Sequence, residues 1–176
     1  LHGSSKADHF DDPDGLDQLF GYGGNDNFNL DITNNQVGTL FDGGGGAGDQ
    51  LSLVSANDYD LRQLSIVRVE ELFLNSLPTG RIVDLLASQI GGAGDFLTVE
   101  KQNSNGNVTL RLAAASTVDL SAVTFINFTI QDAVEVSGTN AANTLTGSSQ
   151  DDLIDGKAGD DIILGGNGND DILGGS

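Results

Sequence analysis

Glycines at positions 138, 147, 156, 165 and 174 stand nine residues apart without a slip. Such a period does not fall on one face of an α-helix, but it fits a short strand followed by a tight turn that needs glycine. In that frame the segments read GTNAANTLT from Gly138, GSSQDDLID from Gly147, GKAGDDIIL from Gly156 and GGNGNDDIL from Gly165. The sixth place holds Asn143, Asp152, Asp161 and Asp170, and the eighth holds Leu145, Ile154, Ile163 and Ile172. A column of polar oxygen thus lies two residues before an aliphatic column, the alternation of a strand with one buried face. The frame returns at the start of the chain as GSSKADHFD from Gly3, DPDGLDQLF from Asp12 and GYGGNDNFN from Gly21. There the sixth place is Asp8, Asp17 and Asp26, and the eighth is Phe10, Leu19 and Phe28. A weaker copy from Leu30 offers Asn35 and Val37.

The charge says what such turns can attract. The 176 residues include 22 Asp and 4 Glu against 7 Lys and Arg, a net charge of −19. A surface this acidic, with its cations scattered, repels phosphate backbones, so no nucleic-acid partner is expected and cations are the natural counterions. No apolar run reaches the roughly 18 residues of a membrane span, so no membrane insertion is expected. Cysteine is absent, which removes disulfides and thiolate metal sites and leaves stability to packing or a hard cation. Methionine is absent even at position 1, as in a processed chain or a piece of a longer one. Calcium takes about six to eight oxygens, many of them main-chain carbonyls, and a glycine-rich turn bares its carbonyls while one Asp per turn supplies charge. The repeat segments 3–29 and 138–173 hold 13 Asp against only Lys6 and Lys157. Without divalent cations these carboxylates repel one another over a thin core, so metal binding is expected to supply folding energy.

These segments resemble the G-G-x-G-x-D-x-U-x nonapeptides of RTX proteins, the hemolysin-type calcium-binding repeats of secreted bacterial proteins. Gly165 to Leu173 matches every fixed place and Gly21 to Asn29 nearly so. The resemblance implies a parallel β-roll in which two nonapeptides make one turn of the coil and repeats n and n+2 stack with an ion between them. Carried onto this chain, it pairs Asp152 with Asp170, Asn143 with Asp161 and Asp8 with Asp26, and leaves Asp17 to pair with Asn35. Asn143 departs from the pattern, since a neutral amide ligates more weakly. The glycines at 23, 24, 147, 156, 159, 165, 166 and 168, namely Gly23, Gly24, Gly147, Gly156, Gly159, Gly165, Gly166 and Gly168, bring the carbonyls of the turns, and several Ca²⁺ ions are implied. The resemblance also implies export by a type I system and folding outside the cell, so a secreted or cell-surface location is expected.

Residues 39–137 lose the frame but stay rich in strand formers, with strands expected over 50–54, 64–74, 81–86, 96–100, 108–112 and a broken 118–136. GGAGDQLSL from Gly45 resembles GGAGDFLTV from Gly91, which adds Asp49 and Asp95 as candidate ligands. YDLRQLSIVRVE from Tyr59 resembles VDLSAVTFINFT from Val118, with a third fragment VDLL at Val83. These read as rungs of a solenoid with Asp-Leu at a corner. The expectation is an all-β, right-handed parallel β-solenoid: a calcium roll over 3–38, a wider β-helix-like middle over 39–137 and a second roll over 138–176.

Catalytic signals are thin. The only histidines are His2 and His9, and His9 sits at a variable turn place. Asp84 and Asp119 with Arg62, Arg81 and Arg111 could line a sugar-cleaving groove, but repeated corner aspartates beside solvated arginines explain them more simply. A non-enzymatic, calcium-folded segment of a surface or matrix protein is therefore expected, stacked end to end on copies of itself or continuing into a longer RTX chain. The alternative is an accessory or catalytic module of an extracellular polysaccharide-active or other hydrolase.

Overall fold

Short strands joined by glycine turns can bury their alternate side chains only against the next copy of themselves. The computed structural model shows that stack, and it describes residues 1–11, 16–31, 37–55, 57–75, 77–92, 96–102 and 106–176. The chain runs through β1 (His9–Asp11), β2 (Gln18–Phe20), β3 (Asn27–Leu30), β4 (Leu40–Asp42), β5 (Gln50–Leu53) and β6 (Tyr59–Asp60). A 3-10 turn (Leu61–Gln63) leads to β7 (Ser65–Val67), β8 (Glu71–Leu74) and β9 (Arg81–Leu85), and a second (Ala87–Gln89) precedes β10 (Thr98–Lys101). Then follow β11 (Val108–Leu112), β12 (Thr117–Asp119), β13 (Thr124–Ile126), β14 (Ala133–Ser137), β15 (Thr144–Thr146), β16 (Asp152–Asp155), β17 (Ile162–Leu164) and β18 (Asp171–Leu173). Every registered pairing among them is parallel. The protein is an all-β parallel solenoid, as its sequence leads one to expect.

Two long sheets run along it. The first has the order β1-β3-β5-β8-β10-β13 and the second β18-β16-β14-β11-β9-β6, each with six strands. The remaining strands form two three-stranded sheets, β2-β4-β7 and β12-β15-β17. At the start the chain alternates between the first long sheet and β2 or β4. From β5 onward a strand of the second long sheet is inserted into each coil. After β13 the first long sheet ends, and the chain alternates between the second and β15 or β17. The two nine-residue rolls therefore lie on different long sheets, and the wide middle is where both are present.

The eighth-place column builds the core. Phe10, Phe28, Leu51, Leu72 and Val99 stack in register and are all buried. Phe10 and Phe28 lie face to face with ring centroids 4.9 Å apart, and Phe28 meets Phe41 edge-on at 5.8 Å. At the other end Leu145 and Ile154 are buried, Ile163 is half-buried and Ile172 is exposed. One column over, Leu30, Leu53 and Leu74 are followed in register by Lys101. Lys101 is buried, but its Nζ lies 2.7 Å from both carboxylate oxygens of Asp132 and 2.9 Å from the Gly106 carbonyl, so the charge is paired and its donors are used.

The middle differs in detail from its sequence reading. The expected strand 64–74 is two, because Arg68 turns the chain with φ 52°. Asp60 and Asp84 do pair in register, as stacked rungs should. The similar Val118 pairs instead with Leu145, in another sheet. The strand-and-corner shape recurs there, but on a different side of the coil.

Candidate metal centre

The best-matched nonapeptide turn has two places that reject an ordinary side chain. In the last complete repeat, Gly166 at the second place and Gly168 at the fourth have φ of 106° and 122°, in the left-handed region. A Cβ at either would strike the coil before it, at the carbonyls of Ser148 and Gln150. The fourth-place Gly24 and Gly159 face the carbonyls of Lys6 and Ala141 in the same way. Coils of this kind stack only if their turn backbones come close, and that aligns main-chain oxygens in rows. Gly23 forms part of the row through a parallel bridge to Gly45.

The sixth-place carboxylates close the rows. The Asp8 N–H donates to Asp26 Oδ1 at 2.8 Å, and the Asp26 N–H donates to Asp49 Oδ1 at 2.7 Å. In the C-terminal roll the Asn143 N–H donates to Asp161 Oδ1 at 2.9 Å, and the Asp152 N–H to Asp170 Oδ1 at 3.2 Å. All three pairs implied by n and n+2 stacking are thus brought together. The second carboxylate oxygen turns toward the first-place glycine. A Cβ on Gly21 would meet both Asp26 Oδ2 and the Gly43 carbonyl, and one on Gly147 would lie 2.6 Å from Asp152 Oδ2 and against the Gly165 carbonyl. Gly156 and Gly165 stand in the same relation to Asp161 and Asp170. Carboxylate oxygen and carbonyl oxygen converge on one spot, which only a glycine leaves open.

Such convergence of oxygens is unfavourable unless something positive lies between them. Asp26 Oδ2, Asp49 Oδ2 and Asp161 Oδ2 are buried and accept no hydrogen bond. Burial pushes the carboxyls of Asp26 and Asp49 above their ordinary range, with neighbouring acids adding to the rise. Asp152 is pushed up to about 6, chiefly by burial and then by Asp170 and Asp151. The orphaned oxygens, the backbone carbonyls beside them and the absence of room for a Cβ fit a hard divalent cation. Among the described residues no three carboxylate or imidazole side chains converge on one point, so such an ion would take most of its oxygens from the main chain.

Two sixth-place residues behave differently. The expected partner of Asp17, Asn35, lies outside the described residues, as does Asp95. The register of β2 with β4 sets Asp17 beside Thr39, whose Oγ1 is 3.4 Å from the Asp17 nitrogen. Asn143 is the other. Its Oδ1 accepts the N–H and hydroxyl of Thr139 at 3.1 and 3.0 Å. Its Nδ2 donates to the carbonyls of Thr139, Ala141 and Gly156 and to Asp161 Oδ1. The amide orientation follows from having donors on one side and oxygens on the other. Its NH₂ group occupies the middle of the oxygen cradle, so at this level the residues present do not leave a seat for a cation.

The profile of the RTX calcium-binding nonapeptide repeat matches residues 2–37 and 137–176, with 4 copies. Both end segments are similar to RTX repeats. No curated protein and no solved structure matches the chain. The RTX segments coincide with the two rolls, while Asp49, which continues the N-terminal ladder, lies beyond the matched residues. The copy that begins at Gly45 is one residue short of the nonapeptide, since Gly48 is followed directly by Asp49. In the structure Gly23 bridges Gly45 and Asn27 pairs with Gln50, so Gly43 stands opposite Gly21 and one extra residue is accommodated before Asp49. Glu70, next in the ladder, was not singled out by sequence, because no glycine turn precedes it.

The residues weighed for catalysis are held by one another or lie apart. Arg111 Nε and Nη2 donate to the two oxygens of Asp84 at 2.6 and 2.8 Å, and Arg62 does the same to Asp60 at 2.7 and 2.8 Å. Asp119 lies in a different sheet, accepting from the Ser121 N–H and hydroxyl. Arg81 reaches Asp58 at 3.9 Å, and His9 is an exposed side chain beside Asn29 and Asp11.

Proposed function

We propose that this chain is a calcium-folded structural segment of a secreted bacterial surface or matrix protein, whose RTX rolls rigidify where calcium is plentiful. The observation that carries it is the set of buried, unpartnered carboxylate oxygens of Asp26, Asp49 and Asp161, aimed at glycine-lined carbonyls where a cation satisfies them. The paired state of Asp60, Asp84, Arg62 and Arg111 supports a scaffold rather than a hydrolase, since no carboxylate of that cluster stands free to act as acid or base. The coil presents Ile162, Leu164, Ile172 and Leu173 exposed at its last strands. That apolar edge fits a further coil, supplied by more of the same chain or by the first roll of a second copy, stacking head to tail.

The test is circular dichroism of the calcium-stripped chain titrated with calcium and, separately, with magnesium. Calcium at millimolar concentration is expected to raise the β signal, and magnesium to do so far less, because Mg²⁺ demands a tight octahedron. An unchanged spectrum across the calcium titration refutes the reading. Light scattering on the same samples checks stacking: polymers that form in calcium and dissolve in chelator support it, and a strict monomer refutes it.

A further inference from the structure

We propose a further calcium site between Gly43, Asp49, Arg68 and Glu70, at the junction of the N-terminal roll with the wide middle and outside the residues that the RTX profile matches. It rests on the reading that the rolls bind calcium. The ladder of N–H groups to carboxylates does not stop at Asp49. The Asp49 N–H donates to Glu70 Oε2 at 3.0 Å, and the register of Gln50 with Glu71 places Glu70 opposite Asp49 as Asp49 lies opposite Asp26.

The cradle is rebuilt from other residues. Gly43 donates its N–H to the Val67 carbonyl at 3.0 Å, as Gly21 does to Asp42 at 2.8 Å, so Arg68 stands where the first glycine of a further repeat would stand. A Cβ on Gly43 would collide with the Arg68 carbonyl and lie 2.5 Å from Asp49 Oδ2, the same crowding found at Gly21. Asp49 is 0% exposed, and its Oδ2 has no hydrogen-bond partner. The Arg68 guanidinium does not fill the gap, because it is drawn outward onto Asp42, with Nε 3.0 Å from Oδ1 and Nη2 2.7 Å from Oδ2. A buried carboxylate oxygen and a carbonyl facing each other, with the nearest cation turned away, call for a bound cation.

The side-chain lengths fit that role. In a repeat, four residues separate the first and sixth places, as between Gly21 and Asp26, whereas only Val69 separates Arg68 from Glu70. The glycine turn is missing from this coil, and a glutamate, one methylene longer than Asp, carries the acceptor to the ladder. The missing turn also removes its carbonyls, so the ion would complete its shell with water and bind more weakly than those within the rolls.

Native mass spectrometry of the intact chain in calcium counts bound ions directly. Glu70→Gln is expected to carry one ion fewer than the wild-type chain, and Asp49→Asn at least one fewer. Arg68→Gly, which keeps the carbonyl, is expected to keep the wild-type number. Either acid variant, folded and holding the full complement of ions, overturns the site. Should the wild-type chain itself bind no calcium, the reading of the rolls falls rather than this site alone.

Discussion

In the N-terminal roll a single corner carries Asp8, Asp26, Asp49 and Glu70 in an unbroken chain of N–H to carboxylate bonds, while the other corner passes at once from Asp17 to Thr39. In the C-terminal roll both corners are short: Asn143 over Asp161 on one, Asp152 over Asp170 on the other. The two rolls are written in the same nonapeptide, yet one concentrates its charge on one edge and the other divides it between two. An ion needs oxygen from two coils, so the number of seats depends on what stands one coil further on, not on how many repeats there are. The N-terminal column gains two acceptors from the middle, Asp49 behind a glycine turn and Glu70 without one. The C-terminal roll loses a seat to an amide at its first repeat.

The largest blow to one roll alone should come from Gly147→Ala. Its Cβ would fall against the Gly165 carbonyl and 2.6 Å from Asp152 Oδ2. Overpacking of this kind costs about 1–3 kcal/mol, to which the loss of the ion adds. Hydrogen exchange in calcium should show β16 and β18 losing protection while β1 and β3, on the other long sheet, keep theirs. Equal loss in both would show that the rolls are coupled through the middle and that the comparison is misplaced.

Next in size is a dependence on pH in the calcium-stripped chain. The folded-state carboxyl of Asp152 is pushed up from 3.8 to about 6 by burial first, then by Asp170 and Asp151. A raised folded value means that the folded form holds its proton more tightly than the unfolded form. Below about 3.8 both forms are protonated and the roll bears no charge penalty here. The advantage is lost as pH rises through about 6, where folding must bury an ionised group. The difference between the two limits is on the order of 3 kcal/mol. Without calcium, the C-terminal roll should therefore be better protected at pH 4.5 than at pH 7.5. Asp152→Asn should flatten the profile, and a profile that survives this substitution would move the cause to other acids.

Much of this contrast is visible in the letters. The period of nine, the Asp column and the pairs eighteen residues apart follow from Gly3 to Phe28 and Gly138 to Leu173, because each place in a repeat meets the same place in the next coil. What is hidden depends on partners set by three-dimensional register. Thr39 stands opposite Asp17 because this coil takes 22 positions where two repeats take eighteen, and Glu70 enters the ladder from a coil that no motif marks. The likeness of Tyr59-Asp60, Val83-Asp84 and Val118-Asp119 reports a strand ending at a corner. It says nothing of which sheet that strand joins, and the third copy joins a different one.

The smallest and most discriminating change is Asn143→Asp. In the native chain the two hydrogens of the Asn143 amide are shared among the carbonyls of Thr139, Ala141 and Gly156 and one oxygen of Asp161. Replacing NH₂ by a carboxylate oxygen turns this attraction into repulsion by the surrounding oxygens while leaving the Thr139 donors in place. In chelator the variant should be less stable by about 1–3 kcal/mol, the range for stranding buried polar groups. In calcium the sign should reverse, because the cradle then presents the same Asp-over-Asp pair as Asp152 over Asp170. The variant should hold one ion more than the wild-type chain by native mass spectrometry, and its melting temperature should rise more steeply with calcium, as linkage requires. His9→Ala, at an exposed turn place, serves as the reference for no change in either condition. If Asn143→Asp bound no additional ion, the amide would not be what keeps calcium out of that corner, and the difference between the rolls would have to lie in the Thr139–Ala141 backbone.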